Sequence, residues 1–490
     1  MYTPFPSQQK RIDLITDFVN SKSNKKAVYV MPVAYGKSIV IANVAMNFPD
    51  KYFINIAPNK ELVHQNYLKY TSYGFEASLC SASLNSNEVS KVTFATIGTL
   101  KKHVEFFKDK DVVLLQDESH QASNRDGELD LFLKQIKKHK LIGVTATPMR
   151  LNNVAGGTRL SMMNRQRKCI YSSIQDVVQV SEVIKDERWS KLIYEVENVD
   201  ETKLQLNTSG TDYTLKSLKA FSEANNIVEK CVESVLRLRE EGRESCIVYV
   251  TSIQEAEDVV AKLEGSAVLH SKLKKQERDR VINGFLSGDI KTIVNVEILK
   301  QGFDYPLLSS IVIARPTNSY TLYYQILGRA VRVHKDKKDA KVVDLSGNYN
   351  KFGAIEDLEF VNEDYTEGWA AFSGDRLLTD YALGNSIVPT KQSLKEHFDL
   401  MTNPQYVPQD PKFPFGKHKN KRVSEVYRTD QGYLAWITNP ETNFKFRGKE
   451  GAALKIGIYR KLKLPIKNNR DIFFDPKEKE MKNKFDRFLA

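Results

Sequence analysis

A chain of 490 residues exceeds what one hydrophobic core supports and suggests roughly three domains of ordinary size. Hydrophobic residues at 41% and charged residues at 27% exclude wholesale disorder, and no apolar run approaches the ~20 residues that span a bilayer. Lys and Arg number 73 against 61 Asp and Glu, a net charge of +12, which favours a polyanionic partner: nucleic acid first, an anionic membrane surface second. The segment Met1-Tyr2-Thr3-Pro4-Phe5-Pro6 has neither the charged nor the apolar part of a secretion signal. Cys80, Cys169, Cys231 and Cys246 are too widely spaced for a disulfide framework or a CxxC zinc site. A reduced, cytoplasmic compartment is therefore expected, with no membrane partner.

Short β-branched runs at 27–31, 52–57, 91–97, 111–116 and 140–145 alternate with helical patterns. Near-continuous apolar strands separated by amphipathic segments predict a parallel sheet covered on both faces. Residues 149–212 break the rhythm. They contain Gly156-Gly157 and a basic patch (Arg150, Arg159, Arg165, Arg167, Lys168), and read as a flexible insertion followed by a connection. The rhythm resumes at 246–251, 267–270, 290–296, 310–314 and 340–345, with helices expected at 253–263 and 274–286. Two α/β lobes in tandem follow, with boundaries at 1–205 and 206–350. Residues 351–400 hold 4 basic and 10 acidic side chains, and 351–405 read as an acidic connector. Residues 401–490 hold 20 Lys or Arg against 10 Asp or Glu, so 406–490 read as a separate basic module.

The first strand runs into Pro32-Val33-Ala34-Tyr35-Gly36-Lys37-Ser38 and then into a helical run. A strand–loop–helix carrying Gly-Lys-Ser can bind a nucleoside triphosphate. Backbone amides and the helix N-terminus hold phosphates, Lys37 reaches the terminal ones, and the Ser38 hydroxyl can ligate Mg2+. The full pattern places glycine at position 31, which here is Met31. The run 111–116 ends in Asp117-Glu118-Ser119-His120. Asp117 at a strand end is placed to hold the metal with Ser38, and Glu118 to activate the attacking water. Thr145-Ala146-Thr147-Pro148 follows another strand, with hydroxyls that could link nucleotide state to interdomain geometry.

These residues resemble the ordered motifs of superfamily 2 helicases and translocases of the DEAD/DEXH type. The resemblance covers about 1–350 and implies two tandem RecA-like lobes, an α/β fold with an ATP cleft between the lobes. It implies ATP and Mg2+ as ligands, Gln8 as the adenine-reading glutamine, and coupling roles for His120, Thr145, Thr147 and Gln325. Strand-contacting residues are implied at Pro58 and Asn59, at Thr96, Gly98 and Thr99, and at Asn295. The stretch 294–306 resembles motif five and adds Gly302 and Asp304 to the ATP site. Gln325-Ile326-Leu327-Gly328-Arg329-Ala330-Val331-Arg332 resembles motif six, whose arginines reach the phosphates when the lobes close. Within the superfamily the likeness is nearest to RadD-type and phage-encoded DNA repair or branch-migration helicases. This chain departs from the RadD-type pattern in having no cysteine after Cys246.

Phe415-Gly416-Lys417-His418-Lys419-Asn420-Lys421 resembles the small module at the C-termini of exodeoxyribonuclease X-like proteins, with Asn420 in place of a glycine. A tight hairpin there would present Lys417, Lys419, Lys421 and Arg422 to phosphates, with Asn420 tolerating positive φ. Tyr433 and Trp436 are expected in the small core, with base stacking as the alternative, and His418 is expected at the surface. The combined expectation is an ATP-dependent DNA helicase acting on forked or branched DNA, as a monomer. RNA, and double-strand translocation without strand separation, stay open, as does a non-motor nucleic-acid-binding protein with a decayed ATP site. Intact Lys37, Asp117, Glu118, Arg329 and Arg332 argue against the last.

Overall fold

The computed structural model describes residues 3–122, 125–154, 157–166, 168–296, 305–366, 368–380, 388–402, 410–438 and the short pieces 454–455, 457–459 and 461–462. The chain forms two compact units. One comprises Met1–Asn153 with Met163–Asp357, the other Val154–Met162 with Leu358–Ala490.

The first unit holds both α/β lobes. In lobe one the sheet order is Ser173–Val177, Ala27–Val30, Lys138–Thr145, Asp111–Gln116, Tyr52–Ile56, Val92–Ala95 and Ser78–Ser81. All of these pairs are parallel, and Ser86–Asn87 is added antiparallel at the edge. The central strands are buried almost throughout, which is why they read as unbroken apolar runs. In lobe two Lys191–Val196, Asp339–Asp344, Ser310–Ile313, Cys246–Tyr249, Thr292–Val296 and Ser266–His270 form a wholly parallel sheet. Its core combines Val248, Val294 and Val312 from the sheet with Phe221, Val235 and Val259 from the covering helices. Helix starts follow local capping chemistry: the Ser252 side chain accepts from Glu255 N at 3.1 Å while Glu255 returns to the Ser252 amide.

Each strand expected from the apolar runs is present, and three boundaries differ. Ser173–Val177 extends the first sheet and Lys191–Val196 opens the second, so the lobes divide between 177 and 191 rather than at 205. Half of 149–212 is therefore sheet and helix rather than an insertion, and Met149–Val154 and Gly157–Met162 form a two-stranded sheet. These strands are polar or lie at an edge, so they lack the continuous apolar signature of their neighbours. The acidic stretch is likewise more than a connector. Leu358–Val361, Ala370–Ser373 and Arg376–Leu377 pair antiparallel, and Phe372 and Leu377 pack with Leu394 of the helix Lys391–Thr402.

In the basic module Phe413, Val423, Val426, Leu434, Ile437, Leu454 and Ile458 make a small core, with Tyr433 packed against it. Lys412 and Arg422 bridge antiparallel, and Asn420 takes φ 69° and Gly416 φ 72° in the turn between them. The left-handed asparagine expected from the sequence is thus present, and Lys417, Lys419, Lys421 and Arg422 are exposed on this turn. Two expectations fail. Trp436 is 50% exposed rather than core, because the helix Gln431–Thr438 already buries Leu434 and Ile437 on its inner side. His418 is buried rather than superficial, with Nε2 3.0 Å from Asp430 Oδ2 and its ring 4.8 Å from that of Tyr433.

Candidate active site between the two lobes

A cavity of about 670 Å³ lies where the lobes meet. Lobe one contributes Val33, Ala34, Gly36, Lys37, Ser38, Asp117 and Glu118, and lobe two contributes Gln325, Gly328, Arg329 and Arg332. The sheet order explains the convergence. The strand ending at Thr145 lies between the one feeding the Lys37 loop and the one feeding Asp117, so all three ends open on the same side.

The phosphate loop is built without its usual first glycine. Met31 N donates to Thr145 O at 2.9 Å, so this residue prolongs the sheet and the turn begins one position later. The left-handed conformations fall on Ala34 (φ 57°) and Gly36 (φ 86°). A Cβ on Gly36 would stand 2.6 Å from Gln8 Nε2, so glycine is required there. Tyr35 turns away from the cavity: its hydroxyl meets Ser7 Oγ at 2.9 Å and its ring packs edge-on against Phe5. A large residue is thereby accommodated inside a phosphate loop.

Gln8, implied by the resemblance as the adenine-reading residue, packs behind the loop. It is fully buried, does not line the cavity, and donates from Nε2 to Tyr35 O at 2.8 Å while Oε1 accepts from Phe5 N at 3.3 Å. Pro32 and Tyr35 are also buried behind the loop rather than in the cavity. Gly302 and Asp304 lie outside the described residues.

Asp117 and Glu118 are adjacent buried carboxylates, and Glu118 sits in the left-handed region at φ 46°. Lys37 Nζ is 4.0 Å from Glu118 Oε1. Burial, and then the charge of Glu118, push Asp117 up to about 6, against the pull of Lys37 and of the Asn66 amide. Burial also pushes Glu118 upward, but Lys37, His120 and Arg329 outweigh it and hold the carboxyl at about 2. The burial and the like charge of Glu118 that raise Asp117 are what a divalent cation beside it would offset. Asp117 and the Ser38 hydroxyl in the same cavity match the sparse oxygen donor set by which Mg2+ is held jointly with phosphate. The residues present therefore fit that ion.

His120 Nδ1 lies 2.8 Å from Thr145 Oγ1 and 3.2 Å from Glu118 Oε2, and Thr147 N donates to Thr145 Oγ1 at 3.2 Å. Three of the residues implied as coupling elements are thus joined in one buried network that ends on Glu118. Gln325 lines the cavity from lobe two.

Several site residues were not singled out from the sequence. Asn66 is buried, lines the cavity and donates to Asp117 Oδ2 at 3.0 Å. Trp189 donates from its indole nitrogen to Val33 O at 3.0 Å, while Ser190 N and Oγ bind the carbonyls of Val331 and Arg332. Lys337 Nζ also donates to the carbonyls of Ala330 and Arg332, which steadies the arginine-bearing turn. Arg150, read from sequence as part of a basic patch, instead donates to the carbonyls of His120, Ser119 and Ala122. It lies three residues after Thr147 in the chain and fixes the loop that follows the two carboxylates. Arg150→Ala leaves the buried His120 and Ala122 carbonyls without this donor, at a cost of about 1–3 kcal/mol each where no water replaces it, while Ser119 O keeps the Ala122 amide. Thermal unfolding should therefore shift downward and kcat for ATP hydrolysis should fall. A lowered melting temperature with unchanged kcat would limit Arg150 to a structural role.

The nucleic-acid residues implied in the lobes are less uniform. Pro58 and Gly98 are exposed and Thr96 is half-buried. Asn59 is occupied as an N-cap, accepting from Leu62 N at 2.9 Å, and the buried Thr99 hydroxyl accepts from Ala82 N at 3.0 Å. Asn295 is buried inside the second sheet, which removes it from any surface contact.

The chain matches the family model "Type III restriction enzyme, res subunit" over residues 1–150 and "Helicase conserved C-terminal domain" over residues 226–334. A 51.5 kDa protein of a Lactococcus phage (isolate 7-9) is 22% identical over 356 residues, 69% of each chain. The candidate ATP-dependent helicase IRC3 of Saccharomyces cerevisiae is 22% identical over 362 residues, 69% of this chain but only 51% of the yeast protein. Among solved structures, a fragment of a candidate HsdR subunit of a type I restriction enzyme from Vibrio vulnificus YJ016 superposes with a TM-score of 0.54 at 18% identity. That match covers 73% of this chain and 67% of the other, and supports the fold. No helix among the described residues is long and apolar enough to cross a membrane. One family model thus falls on each lobe, in chain order: the restriction-enzyme res-subunit model on the first and the helicase C-terminal model on the second.

Proposed function

We propose that the chain is an ATP-dependent DNA helicase or translocase that remodels forked or branched DNA during replication, recombination or repair, akin to the RadD-like and phage branch-migration helicases. The observation that carries this reading is the meeting of Lys37, Ser38, Asp117 and Glu118 with Arg329 and Arg332 around one cavity. ATP occupies that cavity, where Ser38 and Asp117 would hold Mg2+, which would supply charge neutralisation at the phosphates. Glu118 accepts the proton of the attacking water. Drawing Lys37 onto the triphosphate removes the cation that lowers the Glu118 carboxyl most and raises its basicity at the moment it is needed. Hydrolysis then releases the arginines of lobe two from the phosphates and lets the lobes part.

The choice of DNA rests on the likeness of the C-terminal turn to the exodeoxyribonuclease X-like module and on its four exposed cations. The reading is tested by measuring ATP hydrolysis and strand separation on single strands, forks, four-way junctions, blunt duplex, RNA and RNA–DNA hybrids. Stimulation and unwinding greatest on forked or four-way DNA are expected. Preferential stimulation by RNA would make the chain an RNA helicase, and duplex-stimulated hydrolysis without unwinding would make it a double-strand translocase.

A further inference from the structure

We infer that Trp436 and the adjoining Gly416–Asn420 turn form a stacking site for an unpaired nucleobase, so that the C-terminal module grips single-stranded DNA. The inference rests on the DNA reading above and specifies which form of DNA this module takes.

The small core closes without Trp436. Leu434 and Ile437 of the same helix face inward with Phe413, Val423 and Val426, while the indole is 50% exposed, more than any Phe or other Trp among the described residues. Its ring lies 5.8 Å from that of Tyr433 at an interplanar angle of 33°. Tyr433 in turn ties the helix to the basic turn: a Cβ on Gly416 would stand 2.9 Å from its hydroxyl, and the His418 ring packs edge-on against it. The indole and the turn therefore belong to one surface.

The charges on that surface suit a phosphate chain. Asp430 is the acid at the start of this helix, and Lys417 and His418 engage it at 2.9 and 3.0 Å. Lys419, Lys421 and Arg422 are exposed and make no ion pair among the described residues. Cations bordering an exposed aromatic ring are the combination by which proteins hold single strands, with backbone contacts at the phosphates and a ring against a base face. A continuous duplex hides its base faces within its own stack and offers only phosphates. The indole therefore discriminates between the two forms, while the lysines do not.

The test uses the full-length protein with a fluorescein-labelled oligo-deoxythymidine and a blunt duplex of equal length, titrated over a range of salt. Trp436→Ala is expected to weaken single-strand binding about 5- to 150-fold, the loss of one base stack, with duplex binding and the slope against log salt unchanged. Trp436→Phe should recover most of the affinity. Lys419→Ala should weaken both ligands and make the salt slope shallower. An equal loss on both ligands, or no loss, overturns the inference. If Trp436→Ala disturbs the module, seen as new proteolytic cleavage within it, Trp436→Phe decides: restored folding without restored single-strand affinity also overturns it. ATP hydrolysis is measured alongside. If Trp436→Ala shows the stacking loss while the wild-type chain shows no DNA-stimulated hydrolysis, the motor reading is refuted and the stacking site stands.

Discussion

Glu118→Gln lowers nucleic-acid-stimulated ATP hydrolysis by about 10²–10⁴-fold, the usual contribution of a positioned general base, while ATP binding persists. The amide keeps the size of the side chain but cannot accept the proton from water. It also removes the like charge that helps to push Asp117 upward, so the neighbouring carboxyl should hold a cation at least as well as before. Phosphate release under steady state, paired with equilibrium binding of a fluorescent ATP analogue, separates the two effects. Undiminished hydrolysis would remove Glu118 from the reaction. Loss of nucleotide binding together with hydrolysis would mean that its pairing with Lys37 serves the fold of the loop rather than the chemistry.

Arg329→Ala should be as damaging, lowering turnover by about 10³–10⁵-fold, the range associated with an arginine that stabilises a transferring phosphoryl group. Arg329 is mostly buried in the wall of the cavity, and its charge already lowers the carboxyl of Glu118 across the lobe boundary. The approach is possible because the preceding residue has no side chain: a Cβ on Gly328 would stand 2.8 Å from the Cβ of Val33 in the phosphate loop. Arg329→Lys should rescue little, because a point charge does not reproduce the planar fork. Single-turnover hydrolysis with pre-bound ATP checks this. A variant with normal turnover but weakened DNA binding would reassign Arg329 to the strand path.

Much of the layout of the cavity could be read from residue order, for a physical reason. Central strands of a parallel sheet are apolar along their whole length, so 111–116 and the loop before Lys37 announced themselves. The residues that end such strands lie side by side once the sheet forms. Edge strands give weaker signals: Lys191–Val196 mixes charged and apolar residues, so residue order alone does not mark it as the strand that opens lobe two. Side-chain networks were the least legible. Nothing in the order of residues says that Asn66 reaches Asp117, that Arg150 turns inward onto three carbonyls, or that Gln8 holds the loop instead of facing the cavity. Trp436 departs from its expected core position because Phe413, Val423, Val426, Leu434, Ile437, Leu454 and Ile458 already supply the apolar anchors that a small domain was expected to lack.

Val33 is where the two lobes touch the phosphate loop together. Its carbonyl accepts the Trp189 indole from the segment joining the lobes, and its side chain abuts Gly328 beside the arginines. A load applied to lobe two is therefore delivered to a loop residue next to the nucleotide, without a relay through the length of either sheet. Thermodynamic reciprocity then applies. If a bound strand that alters this contact loosens the hold on ATP by some factor, ATP must loosen the hold on that strand by the same factor. If the chain steps along a strand as proposed, this contact is where the hold on ATP and the hold on the strand would be made to depend on each other.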